Sequence, residues 1–123
     1  MPLVIVKRNN SKTVSDGALK NLVSALPKII ADNLTVPDDE GGRLLPEGVK
    51  VDVHEKHPMD EARKDLQITV FAHNFPSICA NLRERQENMR QTIGLLIPHN
   101  ADASLWVFLG PSAYGEIPRK VQS

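Results

Sequence analysis

The chain opens Met1-Pro2-Leu3-Val4-Ile5-Val6, an imino acid at the head of an apolar, β-branched run. Removing the initiator methionine, as is usual before a small residue, would leave Pro2 with a free secondary amine. A free α-amino group titrates near ~8, and apolar surroundings lower that value by disfavouring the charged form. Such an amine is neutral at neutral pH and acts as a general base or attacks a carbonyl carbon. If Met1 stays, the Pro2 nitrogen is an amide and does neither. Proline at a strand start also has a purely structural use, because it wastes no ladder donor.

Other chemistry-bearing groups are sparse. His54, Glu55 and His57 lie close together beside Pro58, but no third histidine or cysteine completes a metal set, so no metal site is expected. Cys79 falls near the start of a helical pattern, where a thiolate would be favoured. No base is placed for it, and it reads as packing. A single cysteine forms no internal disulfide, which points to a reducing compartment. Fifteen basic residues balance fifteen acidic ones, so no electrostatic footprint for nucleic acid is expected. No apolar run is long enough to cross a bilayer, and the amino-terminal residues lack the basic and apolar regions of a signal peptide. The expectation is a cytoplasmic protein with no cofactor.

These residues need a scaffold, and hydrophobic periodicity supplies one. Pro2 to Val6 reads as a central strand, apolar on both faces. Thr13-Val14-Ser15-Asp16 resembles a capping box with Asp in place of Glu. Behind it Leu19, Leu22, Leu26, Ile29, Ile30 and Leu34 recur at helical spacing, giving a helix from about Ser15 to Asn33. Pro27 inside it should kink or split that helix. Thr35 to Gly48 is a loop whose Asp38-Asp39-Glu40 run and Arg43 read as solvated. Val49, Val51 and Val53 alternate with polar residues in a second strand that has one wet or interfacial face. Leu66 to Ala72 is a third strand. Ile78, Leu82, Met89, Ile93 and Leu96 mark one second helix closed by Pro98, and Ser104 to Leu109 is a fourth strand, apolar on both faces.

The order is strand-helix-strand twice over. Helical crossovers favour parallel pairing within each half. The expected fold is a two-layer α+β domain over residues 1–123, with pseudo-repeats 1–60 and 61–123 and two helices on one face of a four-stranded sheet. The other face must be covered by further copies of the chain, and a closed homo-oligomer is the simplest arrangement. A ferredoxin-like ligand-binding domain is an alternative, but its middle strands form a hairpin, whereas a charged linker joins Glu55 to Asp65 here.

With those elements in place the chain resembles the tautomerase superfamily. The resemblance rests on Met1 to Val6, on Ser15-Asp16-Gly17-Ala18-Leu19-Lys20-Asn21-Leu22, on the duplicated β-α-β order and on Leu105 to Pro111. The length is similar to that of macrophage migration inhibitory factor and carboxymethyl-hydroxymuconate isomerase. The resemblance implies a homotrimer whose sheets face inward, with each terminal proline in a pocket between subunits. It implies Pro2 as the base in keto–enol proton transfer on a small carboxylated substrate, or a non-catalytic trimer that keeps the fold for binding or signalling. Cations must then hold the carboxylate and stabilise the enolate. Short members carry an arginine just before the first helix, where this chain has Lys12, with Arg8 the nearest arginine. Two members carry an arginine pair after the third strand. Here that stretch is His73-Asn74-Phe75-Pro76, which argues against dehalogenation or decarboxylation by the family route and leaves His73 as a hydrogen-bond donor. The decarboxylase carries an acidic residue after the first helix, and Asp39 and Glu40 lie nearby. Trp106 and Phe108 stand where several members place a site tyrosine. Trp106 and, from the tail, Tyr114 complete the candidate substrate-binding set.

Overall fold

The computed structural model describes residues 2–61, 64–111 and 117–118. Strand β1 (Leu3–Arg8) leads through a polar loop to helix α1 (Asp16–Leu34), then through two short 3-10 turns to β2 (Lys50–Glu55). Strand β3 (Leu66–His73) is followed by helices α2 (Pro76–Ala80) and α3 (Leu82–Gly94) and by β4 (Ala103–Gly110). The sheet order is β2-β1-β3-β4. Within each half the strands are parallel, as helical crossovers require, and β1 meets β3 antiparallel at the centre. Strands β2 and β3 are therefore not neighbours, which excludes the ferredoxin-like hairpin.

Helix α1 begins where the sequence places it, but its cap is Ser15 rather than Thr13. The Ser15 hydroxyl accepts the Ala18 N–H at 3.2 Å. The helix is not split at Pro27. The expected single second helix is broken. Asn81 lies at φ −134°, ψ 35°, outside helical geometry, and its side chain accepts from Arg85 Nε at 2.6 Å. The Asn81 N–H instead donates to the Ile78 carbonyl at 3.2 Å, which closes α2 as a short turn. Helix α3 then stops at Gly94, short of Pro98, and the chain turns through Leu95 and Leu96.

Strand alternation decides which side of the sheet is covered. Val4, Val6, Leu66, Ile68 and Val70 are fully buried beneath Leu22, Leu26 and Ile30 of α1 and Met89 and Ile93 of α3. Each position one residue along points to the face without helices, which carries Leu3, Ile5, Thr69, Phe71, Trp106 and Phe108. There Phe71 and Phe108 stack at 5.6 Å, and Trp106 and Phe108 at 5.8 Å. Their exposures are 43%, 48% and 61% for Phe71, Phe108 and Trp106, so no helix of the described residues covers this aromatic row. Trp106 therefore lies on the sheet face away from the helices and outside the core.

The two halves are tied at one end by Asp65. Its carboxylate accepts the Asp102 N–H at 3.0 Å and the Asn10 amide at 3.2 Å, while its carbonyl accepts the N–H groups of Asn9 and Asn10. The Asp102 bond, ahead of those from Asn10 and Thr13, holds the Asp65 carboxyl below its ordinary value. A depressed folded-state value contributes stability above the unfolded carboxylate value near ~4, and that contribution is lost as pH falls through the folded one. Asp65→Asn is expected to flatten the loss of stability between neutral and acid pH, measured as urea midpoints across that range. Parallel wild-type and variant curves would show that the hub does not titrate with folding.

Candidate active site

The β1–β3 register sets the site. Leu3 pairs with Phe71, so Pro2 arrives beside Ala72 and His73 at the end of β3. Pro2 is buried, and its carbonyl accepts the Lys50 N–H at 3.0 Å, fixing the start of β1 against β2. It forms part of the wall of a cavity of about 260 Å³, together with Leu34, Val36, Arg43, His73 and Phe75. The walls are mostly apolar, with Arg43 and His73 as the titratable side chains among the described lining residues. The His73 and Phe75 rings meet edge to face at 4.7 Å.

Arg43 reaches this cavity because the loop after α1 folds back tightly. Gly42 N–H donates to the Pro37 carbonyl at 3.0 Å, Val36 N–H to the Gly42 carbonyl at 3.3 Å, and Leu44 N–H to the Thr35 hydroxyl at 2.7 Å. Gly42 has φ +80°, a left-handed backbone that favours glycine. Two cross-links hold the loop from outside. Glu40 accepts the Ser77 N–H at 3.2 Å, so this residue of the acidic run is a tether rather than simple surface charge. Arg85 Nη1 donates to the Asn33 and Thr35 carbonyls at 2.7 and 2.9 Å, satisfying the end of α1.

The remaining candidates lie elsewhere. Arg8 is at the far end of β1, its side chain only 11% exposed. Nε and Nη2 grip Glu55 at 3.1 and 2.6 Å, and Nη1 donates to Asp16 at 2.6 Å and to the Val14 carbonyl at 3.2 Å. Those carboxylates, Glu55 first, raise its already high pKa, and they occupy the fork a substrate would need. Lys12 is exposed in the β1–α1 loop, its backbone N–H bound to the Asn10 side chain. Trp106 is on the uncovered sheet face and does not border the Pro2 cavity. A shallow hollow of about 290 Å³ on that face, between Leu3, Phe71 and Phe108, shares His73 with it. Tyr114 lies outside the described residues. Arg43 was missed in the sequence because a lone arginine in a polar loop has no periodicity; the Gly41-Gly42 pair before it was the available signal. Among the described residues, no group of three His, Cys, Asp or Glu could hold a metal, and no helix is long and apolar enough to cross a membrane.

Loss of the Arg85 cross-link is expected to loosen the cavity wall. Hydrogen bonds from a charged donor contribute about 1.5–3 kcal/mol, so Arg85→Ala should destabilise the protein by about 2 kcal/mol and speed amide exchange at Val36 and Leu44. Unchanged exchange at those two amides would separate Arg85 from the loop.

No family model and no curated protein matches this sequence. Solved structures match its fold over nearly the whole chain. MIF2 of Leishmania major is 14% identical, with 94% of this chain and 93% of that one covered and a TM-score of 0.56. A fused 4-OT, a symmetric trimer, is 13% identical over 89% and 85% of the two chains, with a TM-score of 0.58. The FG41 malonate semialdehyde decarboxylase inhibited by 3-bromopropiolate is 8% identical over 93% and 89%, with a TM-score of 0.58. The chain thus has the fold of tautomerase-superfamily structures.

Proposed function

We propose that this chain is a tautomerase-type isomerase that moves a proton between carbon and oxygen of a small keto or enol acid, with Pro2 as the base. One observation carries the reading: Pro2 is buried in the wall of an apolar cavity that Arg43 and His73 also border. An amine in that setting, released by removal of Met1, is kept neutral by its apolar neighbours. It takes the proton from the carbon beside the substrate carbonyl, the C–H pair becomes the C=C bond, and the carbonyl π pair moves onto oxygen. The prolinium then returns its proton to that oxygen, so the step is a net isomerisation. Arg43 holds the carboxylate, and His73 borders the side on which the enolate charge develops.

The active form is proposed to be a homotrimer. The stacked Phe71, Phe108 and Trp106 rings form an exposed apolar row of the kind that marks an interface. The fused 4-OT of similar fold is a symmetric trimer. Covering that face in this chain would also close the hollow beside His73.

Mass spectrometry of the purified protein should find a chain beginning at Pro2. With phenylenolpyruvate or a hydroxymuconate as substrate, Pro2→Ala is expected to lower kcat by about a hundredfold or more. Arg43→Ala should act mainly by raising KM, as loss of uniform substrate binding does. Turnover undiminished in the Pro2 variant would remove it from the mechanism. Phe108→Glu should leave the fold intact and, in light scattering, reduce the assembly towards the 13.6 kDa monomer. A wild-type protein that already runs as a monomer would overturn the oligomer proposal.

A further inference from the structure

The second half of the chain has a cavity of its own, walled by different parts of the sheet from the first. The Pro2 cavity lies between the end of α1, the connection after it and the start of the sheet. A second one, about 360 Å³, lies between the end of α3, the connection after it and the start of β4. Ile68 and Ile93, both essentially fully buried, belong to its lining along with Leu105. Arg90, His99 and Ser104 supply its polar groups. Its size falls within the range of small-molecule pockets.

Gly94 borders this cavity and closes α3, although nothing local requires glycine there. Its φ is not positive, and a Cβ would meet no atom within 4 Å. Gly94 is exposed at the rim of the cavity, and the space beyond its Cα is open. Arg90 spends its Nε and Nη2 edge on Glu87, while no bond is made by Nη1 to a described residue. The Arg90 side chain is 60% exposed and, unlike that of Arg8, has its Nη1 edge left for a ligand.

We propose that this second cavity is a binding site for a small monocarboxylate with an aliphatic tail: the tail on Ile68, Ile93 and Leu105, the carboxylate on Arg90 and His99. It is a site of binding without proton transfer. Strand β3 begins in mid-chain, where Leu66 N–H donates to the Asp102 carbonyl as an ordinary amide, so no terminal amine is present at this end. The inference does not depend on the chemistry proposed for Pro2.

The test is a titration of the full chain with hexanoate, followed by amide and methyl NMR, with hexanol as the neutral control. Saturable shifts are expected at Gly94, Ala101 and Ser104, with cross-relaxation between the hexanoate chain and the methyl groups of Ile93 and Leu105. Gly94→Leu should weaken hexanoate binding more than tenfold, and Gly94→Ala should leave it within a factor of two or three. Arg90→Gln should weaken hexanoate at least fivefold and leave hexanol unchanged. Should Gly94→Leu fail to fold, the contacts in the wild-type protein decide alone. Shifts confined to the Pro2, Arg43 and His73 surroundings, no saturable shift, or an unchanged affinity in Gly94→Leu would each overturn the proposal.

Discussion

The antiparallel pairing of β1 with β3 is the constraint on which everything else depends. Each strand already has its own parallel partner, so this one ladder joins the halves and fixes how far each strand extends past the other. Its register, Leu3 against Phe71 through Arg8 against Leu66, brings the head of the chain to the far end of β3. A slip of one residue would exchange the two faces of a strand. Val4 and Val6 would then leave the core for the aromatic side, and Pro2 would leave the cavity. The buried row on one face therefore acts as the ruler that positions a residue outside the sheet.

Much of this frame was legible in the sequence because it is written in periodicity. The strand runs at Leu3, Leu66 and Ser104 and the helical spacing from Leu19 to Leu34 each repeat an apolar contact often enough to outweigh local exceptions. Of the two outcomes expected at Pro27, the split does not occur: a proline lacks one backbone donor, and α1 runs through it undivided. The break at Asn81 was missed because it lies in the backbone of one residue, φ −134°, ψ 35°, while Ile78 and Leu82 on either side still mark one continuous apolar stripe.

The sequence singled out Pro2, which the fold places in a cavity wall, and passed over Arg43, which borders the same cavity. The resemblance directed the search for a cation to the stretch just before the first helix, where Lys12 stands and Arg8 is the nearest arginine. A strand carries residues apart at roughly 3.3 Å each, so the end of β1 is the wrong end of the sheet, and two carboxylates already hold Arg8 there. Arg43 is remote in sequence and returns only through a loop whose path depends on a left-handed glycine. Proximity along a strand and proximity in the fold are opposed here.

The arrangement of strands has a mechanical corollary. Each half completes its own crossover, and covalent continuity between them runs only through the exposed segment after β2. A backbone nick near Met59 would sever the polypeptide without cutting any sheet ladder. The two pieces would stay zipped along the central seam, sharing the apolar layer beneath both long helices, and would behave as a heterodimer of fragments.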